Sequence, residues 1–199
     1  MIAVITGDIV NSRMAETNEW LPSLKKILNY YGEAPNRWEI FRGDSFQLSL
    51  PPGKAFYACL HIKAGIKNFK DLDVRLAIGV GQAEQPSEKI TEANGSAFVR
   101  SGECFESLKK QNLAIKTDVP GLDEVLNLLF TLALLTMNTW SPIVATAIKL
   151  ALEHPDKNQG EISRLLRKSQ SSVSEVMKRG GFEEVLELNE FYQKQISRL

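Results

Sequence analysis

The chain has too little of several residue types to support whole classes of chemistry. Two cysteines and two histidines occur in 199 residues. Cys59 and Cys104 sit in apolar or helical patterns, His61 lies in a helical stretch and His154 in a turn, so neither pair has metal-ligand spacing. A Cys/His zinc centre is not expected. The thiols read as buried and inert in a reduced compartment. No Walker-type phosphate loop and no Ser-His-Asp grouping occurs. The longest apolar run, 125–137, is broken by Asn127 and Thr131. It falls short of the roughly 20 residues that a bilayer span takes, so it is expected to form a buried helix, with no membrane association. A secretory signal is not expected ahead of Ile2, and the expected location is the cytoplasm. Net charge is also absent, with 24 basic residues against 24 acidic ones, but that balance hides a local asymmetry near the C-terminus.

What is present begins with two β-type runs, each interrupted by Gly-Asp. The first is AVITGDIVNSR, carrying Gly7-Asp8, and the second is FRGDSFQLSL, carrying Gly43-Asp44. A glycine inside an apolar β run marks a bend or the close approach of another group. The aspartate beside it places a carboxylate there. Between the two runs, Trp20, Leu21, Leu24, Ile27, Leu28 and Tyr31 recur at helical spacing and predict a helix over 17–31. Pro51-Pro52-Gly53 opens a second helix over 54–69. Val74, Leu76, Ile78 and Val80 alternate in a half-buried strand over 74–81, followed by a polar loop through 82–88. A third helix is expected from Gly95 or Ser96 to Lys110 and a last short strand at 113–117. This βαββαβ order, with further elements, predicts an α+β domain of ferredoxin-like, palm type on an antiparallel sheet over residues 1–120.

From residue 121 to 199 the strand signals stop. A long apolar helix is expected over 122–140, another over 143–153 with Ser141-Pro142 at its start, then a turn at 154–156. Between 158 and 179 the pattern resembles a bacterial helix-turn-helix. Ile162, Leu165 and Leu166 form one buried face, Ser163 is the small crossing residue, and Ser169 caps a second helix with Val173 and Val176. The usual turn glycine is Arg167 and the usual apolar turn residue is Lys168. From 157 to 179 six basic residues face two acidic ones, a charge that phosphate neutralisation uses. On this resemblance Gln170, Ser171, Ser172 and Glu175 face base edges, and Arg167, Lys168, Lys178 and Arg179 hold phosphates of duplex DNA. The tail, with Phe182, Val185, Leu188, Tyr192 and Ile196 at helical spacing, is expected to be the seam of a homodimer that reads two half-sites.

AVITGDIVNSR resembles the opening strand of class III nucleotide cyclases and other palm domains. FRGDSFQLSL resembles their second metal-bearing hairpin, and VRLAIGVG at 74–81 the following central strand. Together with the helical end, the chain is most similar to the SatD family, which joins a cyclase-like domain to a DNA-binding tail. The resemblance implies a magnesium site at Asp8, Asp44 and the backbone of Ile9. It also implies a nucleotide or other phosphorylated ligand held by Asn11, Ser12, Arg13, Arg42 and Arg100. The turnover residues are not matched: Val99 stands at the ribose-binding asparagine, Glu103 at the transition-state arginine, and Ile40 at the purine-selecting lysine. The reading that follows is a DNA-binding regulator whose degenerate cyclase-like domain senses a ligand. The alternative is an active metal-dependent cyclase or nucleotidyltransferase with a helical docking tail.

Overall fold

The computed structural model describes residues 1–84, 88–109 and 111–199. Part of the loop expected at 82–88, and Lys110, thus lie outside the described residues. Five strands, β1 (Ile2–Val10), β2 (Trp38–Phe41), β3 (Ser45–Leu50), β4 (Asp73–Gly81) and β5 (Leu113–Lys116), form one sheet in the order β2-β3-β1-β4-β5. All neighbours run antiparallel except β4 and β5, which are parallel. The purely antiparallel sheet expected from sequence is thereby corrected to a mixed one. Eight α-helices accompany it among the described residues.

Register divides the sheet into two unlike faces. Ala3, Ile5 and Ile9 lie opposite Leu50, Leu48, Val80, Ile78 and Val74, and all are buried. This apolar face is covered by α1 (Thr17–Tyr31), through Trp20, Leu24, Ile27 and Leu28, and by α2 (Ala55–Ile66). Burial contributes roughly 1.5–3 kcal/mol for each large aliphatic side chain, so the stability of the sheet rests here. Gly7 belongs to this face, and a Cβ on it would lie 2.6 Å from the ring of Phe46. Close approach of a neighbouring side chain, rather than a bend, accounts for that glycine. The other face mixes small and polar residues, Thr6, Asp8, Gln47, Ser49, Arg75, Ala77 and Gly79, with the β-branched Ile2, Val4 and Val10 of β1. Helix α3 (Ser96–Ser107) packs on it at backbone contact, since a Cβ on Gly79 would lie 2.3 Å from both the Ala97 carbonyl oxygen and the Ser101 amide.

Helix α4 (Pro120–Met137) has three sides. Leu126, Phe130, Leu134 and Met137 are buried, with Phe130 stacked on Phe56 at 4.8 Å. A polar side closes the free edge of β5: Asn127 accepts from the Ile115 amide (2.9 Å) and donates to its carbonyl (3.0 Å), and Asp123 accepts from the Thr117 amide. Such cover removes an edge that would otherwise pair with another chain. The third side, Val125, Leu128, Leu132 and Leu135, is 46–72% exposed. The expectation of a buried helix is therefore corrected. The segment has the length and mean hydropathy (1.3) of a bilayer span, yet its polar side is spent on β5.

Helices α5 (Pro142–Glu153), α6 (Gln159–Leu166), α7 (Gln170–Arg179) and α8 (Phe182–Ile196) follow. Ala151, Ile162, Val173 and Met177 make a small core joining α5, α6 and α7. Helix α8 folds back on the first part of the chain. Tyr192 is fully buried beside Phe56 and Phe130, and its hydroxyl donates to the Pro52 carbonyl at 2.9 Å. The apolar stripe of the tail is thus covered by its own chain, which corrects its assignment as a dimer seam.

Candidate functional site

The two Gly-Asp segments are neighbours in space. Asp8 lies opposite Ser45 in the β1–β3 ladder, and the Ile9 amide donates to the Asp44 carbonyl at 3.2 Å. Their carboxylates, however, have separate partners. Arg75 lies directly opposite Asp8 on β4 and grips it with two parallel bonds, Nε to Oδ1 at 2.9 Å and Nη2 to Oδ2 at 2.5 Å. The guanidinium is steadied over the Phe105 ring of α3 at 5.2 Å, and the bond to Asp8 holds its pKa above the usual arginine range. Asp44 accepts from the Ser12 hydroxyl at 2.6 Å. Ile9 sits inside the ladder with a buried side chain, opposite Val74. A hard divalent ion needs several free oxygens. Here both oxygens of Asp8 are committed to a fixed cation, and no group of three or more Asp, Glu, His or Cys converges among the described residues. As arranged, a magnesium ion at Asp8 would have to displace the Arg75 guanidinium.

The remaining ligand candidates are spread out. Asn11, in a left-handed conformation (φ 61°), donates to the Asp71 carbonyl at 3.0 Å. Arg13 lines a depression of about 530 Å³ with Glu16, Glu19 and Lys70. Arg42 is exposed on the β2–β3 connection, where it and Gly43 take positive φ values of 53° and 91°. Arg100 does not join them. Its Nη1 donates to the Val80 carbonyl at 2.6 Å, and Val80 pairs with Ala3, five residues from Asp8 along β1. At about 3.3 Å per residue that is roughly 17 Å away. The physical reason is that α3 is anchored by Ser96 to the Gln82 amide (2.9 Å), at the far end of β4. Val99 is 58% exposed, and Glu103 pairs with Lys116 at 2.7 Å on the outer side of α3.

The C-terminal candidates are brought together. Helix α6 starts with a capping box, Asn158 accepting from the Glu161 amide and Glu161 from that of Asn158, an arrangement that satisfies two orphan donors. It ends at Arg167, whose backbone is left-handed (φ 53°, ψ 43°). This is the conformation glycine takes most easily at a helix end, and here an arginine adopts it. Ser169 then caps α7 by accepting from the Ser172 amide at 3.2 Å. Three residues separate the helices. Val173 and Met177 face inward, whereas Leu165, expected on the buried face of α6, is 50% exposed and Val176 is only half-buried; Arg167, Lys168, Gln170, Ser171, Ser172, Glu175, Lys178 and Arg179 are all exposed.

Sequence reasoning missed Arg75, Lys63 and Lys67. A lone charge inside an apolar run, as in VRLAIGVG and ACLHIKAGI, was the available signal. Such a charge must find a partner when it is buried. Compared with family models, curated proteins and solved structures, the chain matches none.

Proposed function

We propose that this protein is a DNA-binding regulator of the SatD kind, in which a ferredoxin-like palm domain holds a phosphorylated ligand and α6–α7 acts as a helix-turn-helix. The observation that carries the reading is the α6–α7 unit. A three-residue connection in the backbone geometry this motif uses leaves every expected contact residue exposed beside a small core of its own. In the palm reading, the unit β1-α1-β2-β3-α2-β4 with strand order β2-β3-β1-β4 supports the ferredoxin-like assignment. The engagement of Asp8 by Arg75, and the outward positions of Val99 and Glu103, favour a holding domain over a cyclase.

The regulator is a homodimer on this reading, and its seam is the third side of α4. Val125, Leu128, Leu132 and Leu135 stand at alternating steps of three and four residues, the spacing of a two-helix seam. Their exposed side chains offer on the order of 400 Å² per copy, about half of what a stable interface takes from each partner, so the rim contributes the rest. The test of DNA binding is a gel-shift of short genomic fragments at low salt. Retardation that weakens as salt rises is expected. Free migration of every fragment removes the proposal.

A further inference from the structure

We propose that a cavity of about 450 Å³, between the C-terminal end of α2 and the α4–α5 connection, binds a phosphate or phosphomonoester group, and that its occupation is transmitted to the end of α7. The proposal rests on the reading of the palm as a holder of phosphorylated ligands, and it moves that site away from Asp8 and Asp44. Lys67, Lys70, Asn11 and Asn112 line the cavity and are the side chains that can donate into it. Asp73 also lines it, but its oxygens are already taken. They accept from Lys63 Nζ (2.7 Å), the Val74 amide (2.8 Å), Asn112 (3.3 Å) and Lys67 (3.5 Å).

Lys63 is only 1% exposed, so this ion pair is a buried fixture rather than a free anion facing the ligand. Of the charged groups on the cavity wall, Lys67, Lys70, Asp71 and Asp73, Asp73 is neutralised from behind by the buried Lys63, which leaves Lys67 and Lys70 facing Asp71 and suits an anion. Lys67 Nζ lies 3.5 Å from Asp73 and donates to the Asn138 carbonyl at 2.9 Å, which leaves one of its three protons for the cavity.

That second bond is the link to the helical part. Asn138 follows directly on α4 and begins the connection to α5. Two residues later Trp140 lines the cavity wall, and its indole N–H donates to the Gly180 carbonyl at 2.8 Å. Gly180 ends α7, and it packs so tightly on α5 that a Cβ there would meet Val144 at 2.7 Å and Ile148 at 2.8 Å. An anion that draws Lys67 from Asn138 therefore acts on the same short connection that fixes the end of α7. By linkage, whatever constrains α7 must act back on the anion.

The full-length protein, titrated with inorganic phosphate and with adenosine 5′-monophosphate by calorimetry, tests the site. Binding of either is expected. Stronger binding of the nucleotide makes a phosphorylated metabolite the ligand, and equal binding makes it free phosphate. Lys67→Gln/Lys70→Gln should lose at least about tenfold in affinity, the equivalent of one charge-assisted contact. Lys70→Gln alone, at an exposed position, should lose several-fold with an unchanged melting curve. Lys25→Gln/Lys194→Gln, which removes the same charge elsewhere, should bind as the parent does. Transmission is read from amide hydrogen exchange at the end of α7, residues 178–181: a phosphate-dependent change in the parent that Trp140→Phe abolishes while calorimetric binding persists. No binding of either probe up to about 10 mM, weaker than the millimolar range, or equal binding by the lysine variants, overturns the site. Binding without a change in exchange at the end of α7 overturns the transmission. None of these readouts uses DNA, so failure of the DNA-binding reading is scored separately.

Discussion

Asp8 and Arg75 show how one opposing residue can redirect a motif. A carboxylate at the end of an apolar strand is suited to a cation, and β4 supplies that cation from its own sequence, at the directly opposite position and in fork geometry. Bidentate pairs of this kind are the stronger ion pairs. Arg75→Ala should release Asp8 and produce divalent-ion binding, measured by calorimetry with magnesium or manganese, that is weaker in the parent. Equal affinity in the two proteins would contradict the assignment. His61 gives a second test at this scale. It is 1% exposed, accepts or donates at Nδ1 with the Tyr31 hydroxyl (3.1 Å), and has Nε2 3.5 Å from Glu153. Burial pushes its pKa from 6.5 down to about 4, against the opposing pull of Glu153 and with help from Lys149 and Lys26. The unfolded chain therefore binds a proton below pH 6.5 that the folded chain refuses until about pH 4. Stability should fall across that window by roughly 3 kcal/mol and level off below it. His61→Gln should flatten this part of the denaturation-versus-pH curve. An unchanged slope would show that the ring is not the group responsible. The two thiols have no such role: Cys59 and Cys104 are buried and free, with burial raising the pKa of each.

Among the elements, those with a strong internal period were legible in the sequence and those defined by a partner were not. The stripe of Trp20, Leu24, Ile27 and Leu28 gave α1 with its observed ends, because burial of one face is written at steps of three and four. The sequence predicts α2 to reach Phe69 and α3 to reach Lys110, whereas they stop at Ile66 and at Ser107, where Leu108 turns extended. Neither stop has a glycine or proline to announce it. Asn127 was legible only as an interruption of an apolar run; its purpose, closing the edge of β5, depends on a strand twelve residues away. The Asp8–Arg75 pair was hidden for the same reason, since 67 residues separate its members. Arg167 offers a prediction at this scale. A left-handed backbone costs a non-glycine residue about 1–2 kcal/mol, so Arg167→Gly should raise stability by up to about 1 kcal/mol and, on the proposed reading, weaken DNA binding. A loss of stability, seen in urea denaturation, would mean that the Arg167 side chain itself supports the α6–α7 connection.

For the whole molecule, the placement of α8 changes what the tail does. Tyr192 closes the core between α2 and α4, so removing the chain after Gly181 should expose Phe56 and Phe130 and destabilise the first domain instead of yielding a well-folded monomer. On the proposed dimer the exposed side of α4 is the seam. Leu128→Asp/Leu135→Asp should convert a dimer to a monomer by light scattering at tens of micromolar, with little change in fold because both side chains are more than half exposed. A monomeric parent protein under those conditions would eliminate the seam.

The central claim, that α7 presents a DNA-reading surface, is tested most directly by the salt dependence of binding to duplex DNA in the parent and in Lys178→Ala/Arg179→Ala. Both residues are exposed at the end of α7, and each phosphate contact contributes about 0.9 to the slope of log affinity against log salt. The predicted result is a uniform weakening across sequences and a slope shallower by roughly two per protomer. An unchanged slope, with affinity retained, would contradict the account.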